Sequence, residues 1–120
     1  IRKEAMIDDL PGDQMLIDIG KNTVTSYQKI IKEAKTVFVN GPMGIFEEIL
    51  SEYGTQKVWD AIGNTDAYTI IGGGDSITAS NKYNITEKIS YICTGGGALI
   101  RFLSGEELPV VKALCYGSKN

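Results

Sequence analysis

Histidine is missing from this 120-residue sequence, and cysteine nearly so: Cys93 and Cys115 are the two examples, with no Cys-x-x-Cys pair. Those absences remove a Ser/His/Asp triad, a Cys/His pair and a zinc cluster together. The two thiols are read as belonging to a reducing, cytoplasmic compartment. Positive charge is not in excess either, since 12 Lys and Arg stand against 15 Asp and Glu, for a net charge of -3 and a pI near 4.9. Such a balance offers no electrostatic footprint to nucleic acid or to an anionic membrane. No apolar run approaches the ~20 residues of a membrane span, and no basic region leads into an apolar signal segment. The expected partners are small molecules. At 42% hydrophobic residues, one domain burying roughly 65% of its unfolded surface is the default. A chain that opens on Ile1 rather than Met is read as processed or as a piece of a longer one.

Glycine, by contrast, is plentiful and clustered. Tyr68 to Ile71 is an apolar run too continuous to alternate, as in a parallel strand covered on both faces, and it stops at Gly72-Gly73-Gly74. Asp75 and Ser76 follow as helix N-cap types. Strand, glycine loop and helix N-terminus together form a site for an anion, because unpaired N–H groups and the positive end of the helix dipole point the same way. A phosphate is the expected guest; a tight turn without a ligand is the plainer alternative.

Ala5 to Gln14 is turn-rich and reads as a lead-in loop. Met15 to Ile19 is read as a first strand ending at Gly20, and Val24, Tyr27, Ile30, Ile31 and Ala34 then recur at helical spacing. Thr36 to Val39 is a second strand, broken by Asn40-Gly41-Pro42-Met43-Gly44. A helix carrying Ile49 and Leu50 should run to Tyr53-Gly54, and another, carrying Val58, Trp59 and Ile62, should stop at Gly63-Asn64. After the Tyr68 strand, a helix passes through Ile77, Ala79 and Ser80. A fourth strand, Ile89 to Thr94, meets a second triple glycine, Gly95 to Gly97, then a helix burying Leu99, Phe102 and Leu103 and ending at Ser104-Gly105. Pro109 suits the first turn of a last helix.

Strands beginning near 15, 36, 68 and 89, each followed by a helix, predict an α/β fold: a doubly wound, Rossmann-like parallel sheet of about four β-α units in three α/β/α layers. Gly20, Gly41, Gly44, Gly72 to Gly74 and Gly95 to Gly97 then all follow strand ends and share one edge, where such sheets bind ligands. Two common phosphate fingerprints fail: no glycine precedes Lys and then Ser or Thr, and the sixth positions from Gly72 and Gly95 are Ile77 and Ile100.

Leu16-Ile17-Asp18-Ile19-Gly20, Val39 to Glu47 (VNGPMGIFE), Ile70 to Ser76, Thr94 to Ala98 and Leu108-Pro109 with Ala113-Leu114 identify a different resemblance. In that order, over nearly the whole chain, they resemble the nucleotide-binding C-terminal domain of phosphoglycerate kinase, archaeal members above all. Residues 1–120 would be the C-terminal portion of that domain, part of a larger one. The resemblance implies reversible phosphoryl transfer between 1,3-bisphosphoglycerate and ADP, giving 3-phosphoglycerate and ATP, with Mg²⁺ on the nucleotide. It implies that Glu47 holds the ribose, that Asn40 and Pro42 line the nucleotide cleft, and that Gly20 lies near the base. Gly72, Gly73 and Gly74 would offer backbone to phosphate, Asp75 would meet Mg²⁺, Ser76 would bond a phosphate oxygen, and Gly95, Gly96 and Gly97 would stabilise the phosphoryl group in flight.

Plainer roles stand beside these: Glu47 complementing a helix start, Asp75 as an N-cap, Asn40-Gly41-Pro42 as a turn. Cys93 replaces the family's usual Ser, and Lys21 its usual Pro. The basic 3-phosphoglycerate domain, the hinge helix and a lysine-bearing glycine loop are absent from these 120 residues, so the chain alone is expected to be inactive. The other class of reading is a non-catalytic half-domain that binds nucleotide weakly, packs on the rest of a kinase chain, or self-associates through an unpaired sheet edge.

Overall fold

The computed structural model describes residues 2–118. Five helices, α1 (Lys21–Glu33), α2 (Tyr53–Asn64), α3 (Gly74–Lys82), α4 (Gly96–Leu103) and α5 (Pro109–Ser118), alternate with strands β1 (Thr36–Val39), β2 (Tyr68–Gly72) and β3 (Tyr91–Cys93). The sheet runs β1-β2-β3, all parallel, with Thr36 opposite Tyr68 and Gly72 opposite Cys93. The fold class is α/β as expected, but the sheet has three strands among the described residues, not four.

The missing strand is Met15 to Ile19. Its residues belong to no strand among the described residues; instead the segment meets the loop after β1, where the Ile45 N–H donates to the Ile17 carbonyl at 3.0 Å. Asp18 explains the diversion. A charge inside an apolar run must find partners when buried, and Asp18 accepts from the Gly54 N–H at 2.8 Å, at the start of α2, and from the Ile19 N–H at 2.9 Å. Arg2 lies 3.7 Å from the same carboxylate. Met15 and Leu16 are exposed.

The core lies on one side of the sheet. Phe46, Val58, Trp59, Ile62, Ala79 and Ile85 are buried together, with Val37 and Val39 packed against them. Trp59, fully buried, donates from Nε1 to the Ser76 carbonyl (3.3 Å) and the Ser80 hydroxyl (3.2 Å), which fixes α2 to α3. On the opposite face Phe38, Tyr68 and Tyr91 stay exposed. There α4 reaches only the top of the sheet, where a Cβ on Gly72 would lie 3.1 Å from Leu99. The expected burial of Phe102 and Leu103 is not found, since both side chains are more than half exposed. Periodicity marks an apolar face without saying what covers it.

Smaller corrections follow from contacts. Ile49 and Leu50 form a short 3-10 turn (Ile49–Ser51) and are exposed. Gly63 and Asn64 are the last turn of α2, where Gly63 packs on Ile85, and extended Thr65 ends the helix. α4 closes at Ser104-Gly105 as expected, with Gly105 at φ +85 and the Glu106 N–H returning to the Arg101 carbonyl at 2.9 Å, a Schellman pair of bonds. The radius of gyration is 17.4 Å, against about 14 Å for a compact domain of this length.

Candidate functional site

Three parallel strands put three loops at one edge. Gly73 takes φ +92 as the residue before α3, a conformation open to glycine and costly for other residues, and Gly95 precedes α4. The first helical bonds are Ile77 N–H to Gly73 and Leu99 N–H to Gly95. The N–H groups of Gly74, Asp75 and Ser76, and of Gly96, Gly97 and Ala98, therefore have no acceptor within their helices. The two loops touch backbone to backbone: a Cβ on Gly96 would sit 2.7 Å from the Gly73 Cα and 2.9 Å from its nitrogen. Asn40, from the loop after β1, points its Oδ1 at the junction, 3.1 Å, 3.3 Å and 3.4 Å from Cβ positions built on Gly73, Gly72 and Gly96. Two dipole-positive helix ends and six donors without an intrahelical acceptor thus meet beside one amide side chain, an arrangement able to neutralise an oxyanion without a formal cation.

Asp75, the second residue of α3, is exposed, and its carboxylate has no hydrogen-bond or ion-pair partner among the described residues. It stands alone. No three His, Cys, Asp or Glu residues are grouped to hold a metal among the described residues. One carboxylate beside a phosphate cradle suits Mg²⁺ shared with a polyphosphate, because Mg²⁺ keeps several waters and takes few protein ligands.

The loop from Asn40 to Ser51 is held along its length. The Gly41 N–H donates to the Ser76 hydroxyl at 2.6 Å, and the Met43 and Gly44 N–H groups to the Thr55 hydroxyl at 3.1 and 3.3 Å. The Ser51 hydroxyl donates to the Ile45 carbonyl at 2.7 Å. Pro42 is half-buried within this loop, and Glu47 is an exposed residue of the turn closed by Glu48 N–H to Ile45 carbonyl at 3.2 Å. The helical element that follows Glu47 is the three-residue turn Ile49–Ser51, which offers little dipole for it to complement.

Two expected site residues are placed differently from the rest. Ser76 is buried inside α3 and its oxygen takes the Gly41 N–H, so its hydroxyl faces the neighbouring loop rather than the open edge; neither it nor Asp75 makes a side-chain cap. Gly20 follows no strand. It is the N-cap of α1, where a Cβ would meet Glu4, whose carboxylate accepts the Lys21 N–H at 3.2 Å.

The supporting residues Asp18, Thr55 and Lys82 were not singled out by sequence. The signal for Asp18 was there, a carboxylate within Met15 to Ile19. A Cβ on Gly44 would lie 2.7 Å from its Oδ1, and one on Gly54 would overlap it, so both glycines belong to its seat. Lys82 donates to the Phe46 carbonyl at 2.6 Å and pairs with Glu52 at 2.9 Å. The hydrogen bond from Lys82, then one from Tyr83 (3.1 Å), holds the Glu52 carboxyl below its ordinary range. Burial, then the bond to Glu52, pushes the Tyr83 hydroxyl up. No sequence pattern announces such a pairing.

Known proteins match this chain along most of its length. The family model described as phosphoglycerate kinase matches residues 2–106. The phosphoglycerate kinase of Thermoplasma volcanium is 46% identical over 105 residues, covering 88% of this chain and 26% of its own length. That of Methanothermus fervidus is 46% identical over 113 residues, 94% of this chain and 27% of the relative. The solved structure of phosphoglycerate kinase from Coxiella burnetii superposes with a TM-score of 0.80 at 40% identity, over 88% of this chain and 27% of that one. The chain thus spans about a quarter of the length of the relatives it matches, and it belongs to the phosphoglycerate kinase family.

Proposed function

We propose that this chain is the C-terminal portion of the nucleotide-binding domain of a cytoplasmic phosphoglycerate kinase, and that its glycine edge holds the phosphates of ADP or ATP. The observation that carries this reading is the contact of Gly73 with Gly96 beneath Asn40, in a chain of this family. Transfer of a phosphoryl group needs positioning and charge neutralisation more than a protein nucleophile. The absence of histidine is then no obstacle. Gly72, Gly73 and Gly74 present backbone to the nucleotide phosphates, and Gly95, Gly96 and Gly97, opening α4, stabilise the phosphoryl group between donor and acceptor. Glu47 takes the ribose hydroxyls and Asn40 and Pro42 wall the cleft. The buried Ser76 keeps the Gly41 loop against α3. Asp75 is the protein group that would hold Mg²⁺; the ion supplies charge neutralisation on the nucleotide.

The acceptor, 3-phosphoglycerate or 1,3-bisphosphoglycerate in the reverse sense, is left to the remainder of the kinase. So are the cations of the reaction. An exposed apolar groove along β1, lined by Tyr27, Ile30, Val37, Phe38, Met43 and Ile62, supports packing of that remainder against this edge. The same groove supports the second reading, a half-domain that binds nucleotide weakly and functions by completing a partner's sheet. Titration with Mg-ADP, followed by amide chemical shifts, separates the two. The first reading expects weak, Mg²⁺-dependent shifts at 72–76 and 95–97; scattered shifts indifferent to Mg²⁺ favour the second. In a coupled assay of 3-phosphoglycerate turnover the purified chain is expected to be silent, and to gain activity when a polypeptide carrying the preceding family segments is added.

A further inference from the structure

α3 touches the loop that carries Glu47 at two points. Near the N-terminus of the helix the Ser76 hydroxyl takes the Gly41 N–H at 2.6 Å; at its last residue Lys82 donates to the Phe46 carbonyl, also at 2.6 Å. The anchors are six residues apart, or about 9 Å along the axis. Phe46 itself is buried, while Glu47, the next residue, is exposed. With no packing around its side chain, the reach of the Glu47 carboxylate is set by the backbone on either side of it, which Lys82 holds at Phe46 and the Glu48-to-Ile45 bond holds beyond.

Lys82 is well fitted to fix that backbone. Its ammonium is held from two further sides: Glu52 pairs with it at 2.9 Å, and the rings of Phe46 and Tyr83 lie 5.8 and 5.5 Å from it. Tyr83 in turn donates to Glu52 at 3.1 Å, so the carboxylate that holds the ammonium is itself held. Building on the phosphate and ribose roles proposed above, we infer that Lys82 is a positioning residue for ribose recognition. By capping the Phe46 carbonyl from the far end of the helix whose first turn receives phosphate, it holds Glu47 at a fixed distance from the phosphate site. Recognition of the sugar is thereby registered to recognition of the phosphates by one rigid element.

The test compares three probes, Mg-ADP, its 2′,3′-dideoxy analogue and Mg-pyrophosphate, on the chain and on Lys82→Met and Lys82→Arg. The Lys82 side chain is 40% exposed, so the substitution leaves the buried core in place. Wild type is expected to prefer ADP over the dideoxy analogue by about tenfold, the worth of a hydrogen bond to a charged group. Lys82→Met should bring that ratio towards one with pyrophosphate binding unchanged, and Lys82→Arg should recover part of it. A ratio unaltered in Lys82→Met overturns the inference, as does an equal loss for all three probes, which would be general destabilisation. Pyrophosphate binding without ribose preference in wild type overturns it while leaving the phosphate site intact. Should no probe bind, the proposed function itself fails, and amide hydrogen exchange at residues 45–48 still decides the positioning claim. Faster exchange in Lys82→Met supports it, and unchanged exchange refutes it.

Discussion

The two triple-glycine loops are near copies in sequence and unlike in support. The first is backed by α3, whose Ser76, Ala79 and Ser80 are buried and which Trp59 ties to α2. The second is backed by α4, which buries none of its residues and follows a strand of three. One loop is preorganised by this chain. The other depends on the first, through the Gly96 contact with Gly73, and on whatever covers its apolar side. A cradle of backbone donors can thus be complete while only half of it is rigid.

The largest expected effect tests that contrast through the core. Trp59→Ala should cost about 3–5 kcal/mol in urea unfolding, whereas Phe102→Ala, at the exposed face of α4, should stay within about 0.5 kcal/mol. In a reassembled kinase the second substitution should become costly; if it stays neutral there, α4 is not a covered helix and the contrast is intrinsic to the fold. Next comes the junction. Gly96→Ala drives a methyl into the Gly73 backbone, a displacement of ~1–3 kcal/mol that should weaken pyrophosphate binding about tenfold. Gly97→Ala, with open space around it, should bind normally. Asp75→Asn should lower the Mg²⁺-dependent part of ADP binding by about tenfold and leave Mg²⁺-free pyrophosphate binding untouched, as isothermal titration would read it.

The smallest effect is on acid stability. Glu52 has its folded pKa depressed by Lys82 and Tyr83, so its contribution is present above its unfolded value near 4.5 and is lost as the pH falls through the lower folded value. Tyr83 is shifted the opposite way, and its contribution is present below about 10 and lost as the pH rises beyond it. Thermal unfolding of Glu52→Gln and Tyr83→Phe across pH would show each slope flatten in its own window.

Sequence reading reached the parallel sheet because all three of its strands run into glycine, and glycine punctuation is local. Tyr68 to Gly72 needed no tertiary knowledge. Met15 to Ile19 did. An extended apolar segment pairs in a sheet or crosses a loop according to what lies beside it, and the deciding contacts, Asp18 to Gly54 and Ile45 to Ile17, span 36 and 28 positions. The meeting of Gly73, Gly74, Gly96 and Asn40 at one sheet edge was legible for the first reason. The bond from Gly41 to Ser76 was not legible, for the second reason, since a hydroxyl in the first turn of a helix is aimed by the neighbouring loop, which took it as an acceptor. Exposed Phe102 and Leu103 mark the remaining limit: an apolar stripe predicts burial only when the covering surface is part of the same chain.

Trp59 carries an optical consequence. It is the single tryptophan, fully buried, with its indole N–H on the Ser76 carbonyl and the Ser80 hydroxyl of α3. Its emission should therefore be blue-shifted in the folded chain, free of any other indole, and sensitive to the polarity at the root of the first glycine loop. Filling that loop with an anion changes the field along α3, so fluorescence intensity can follow both unfolding and occupancy of the edge without a label.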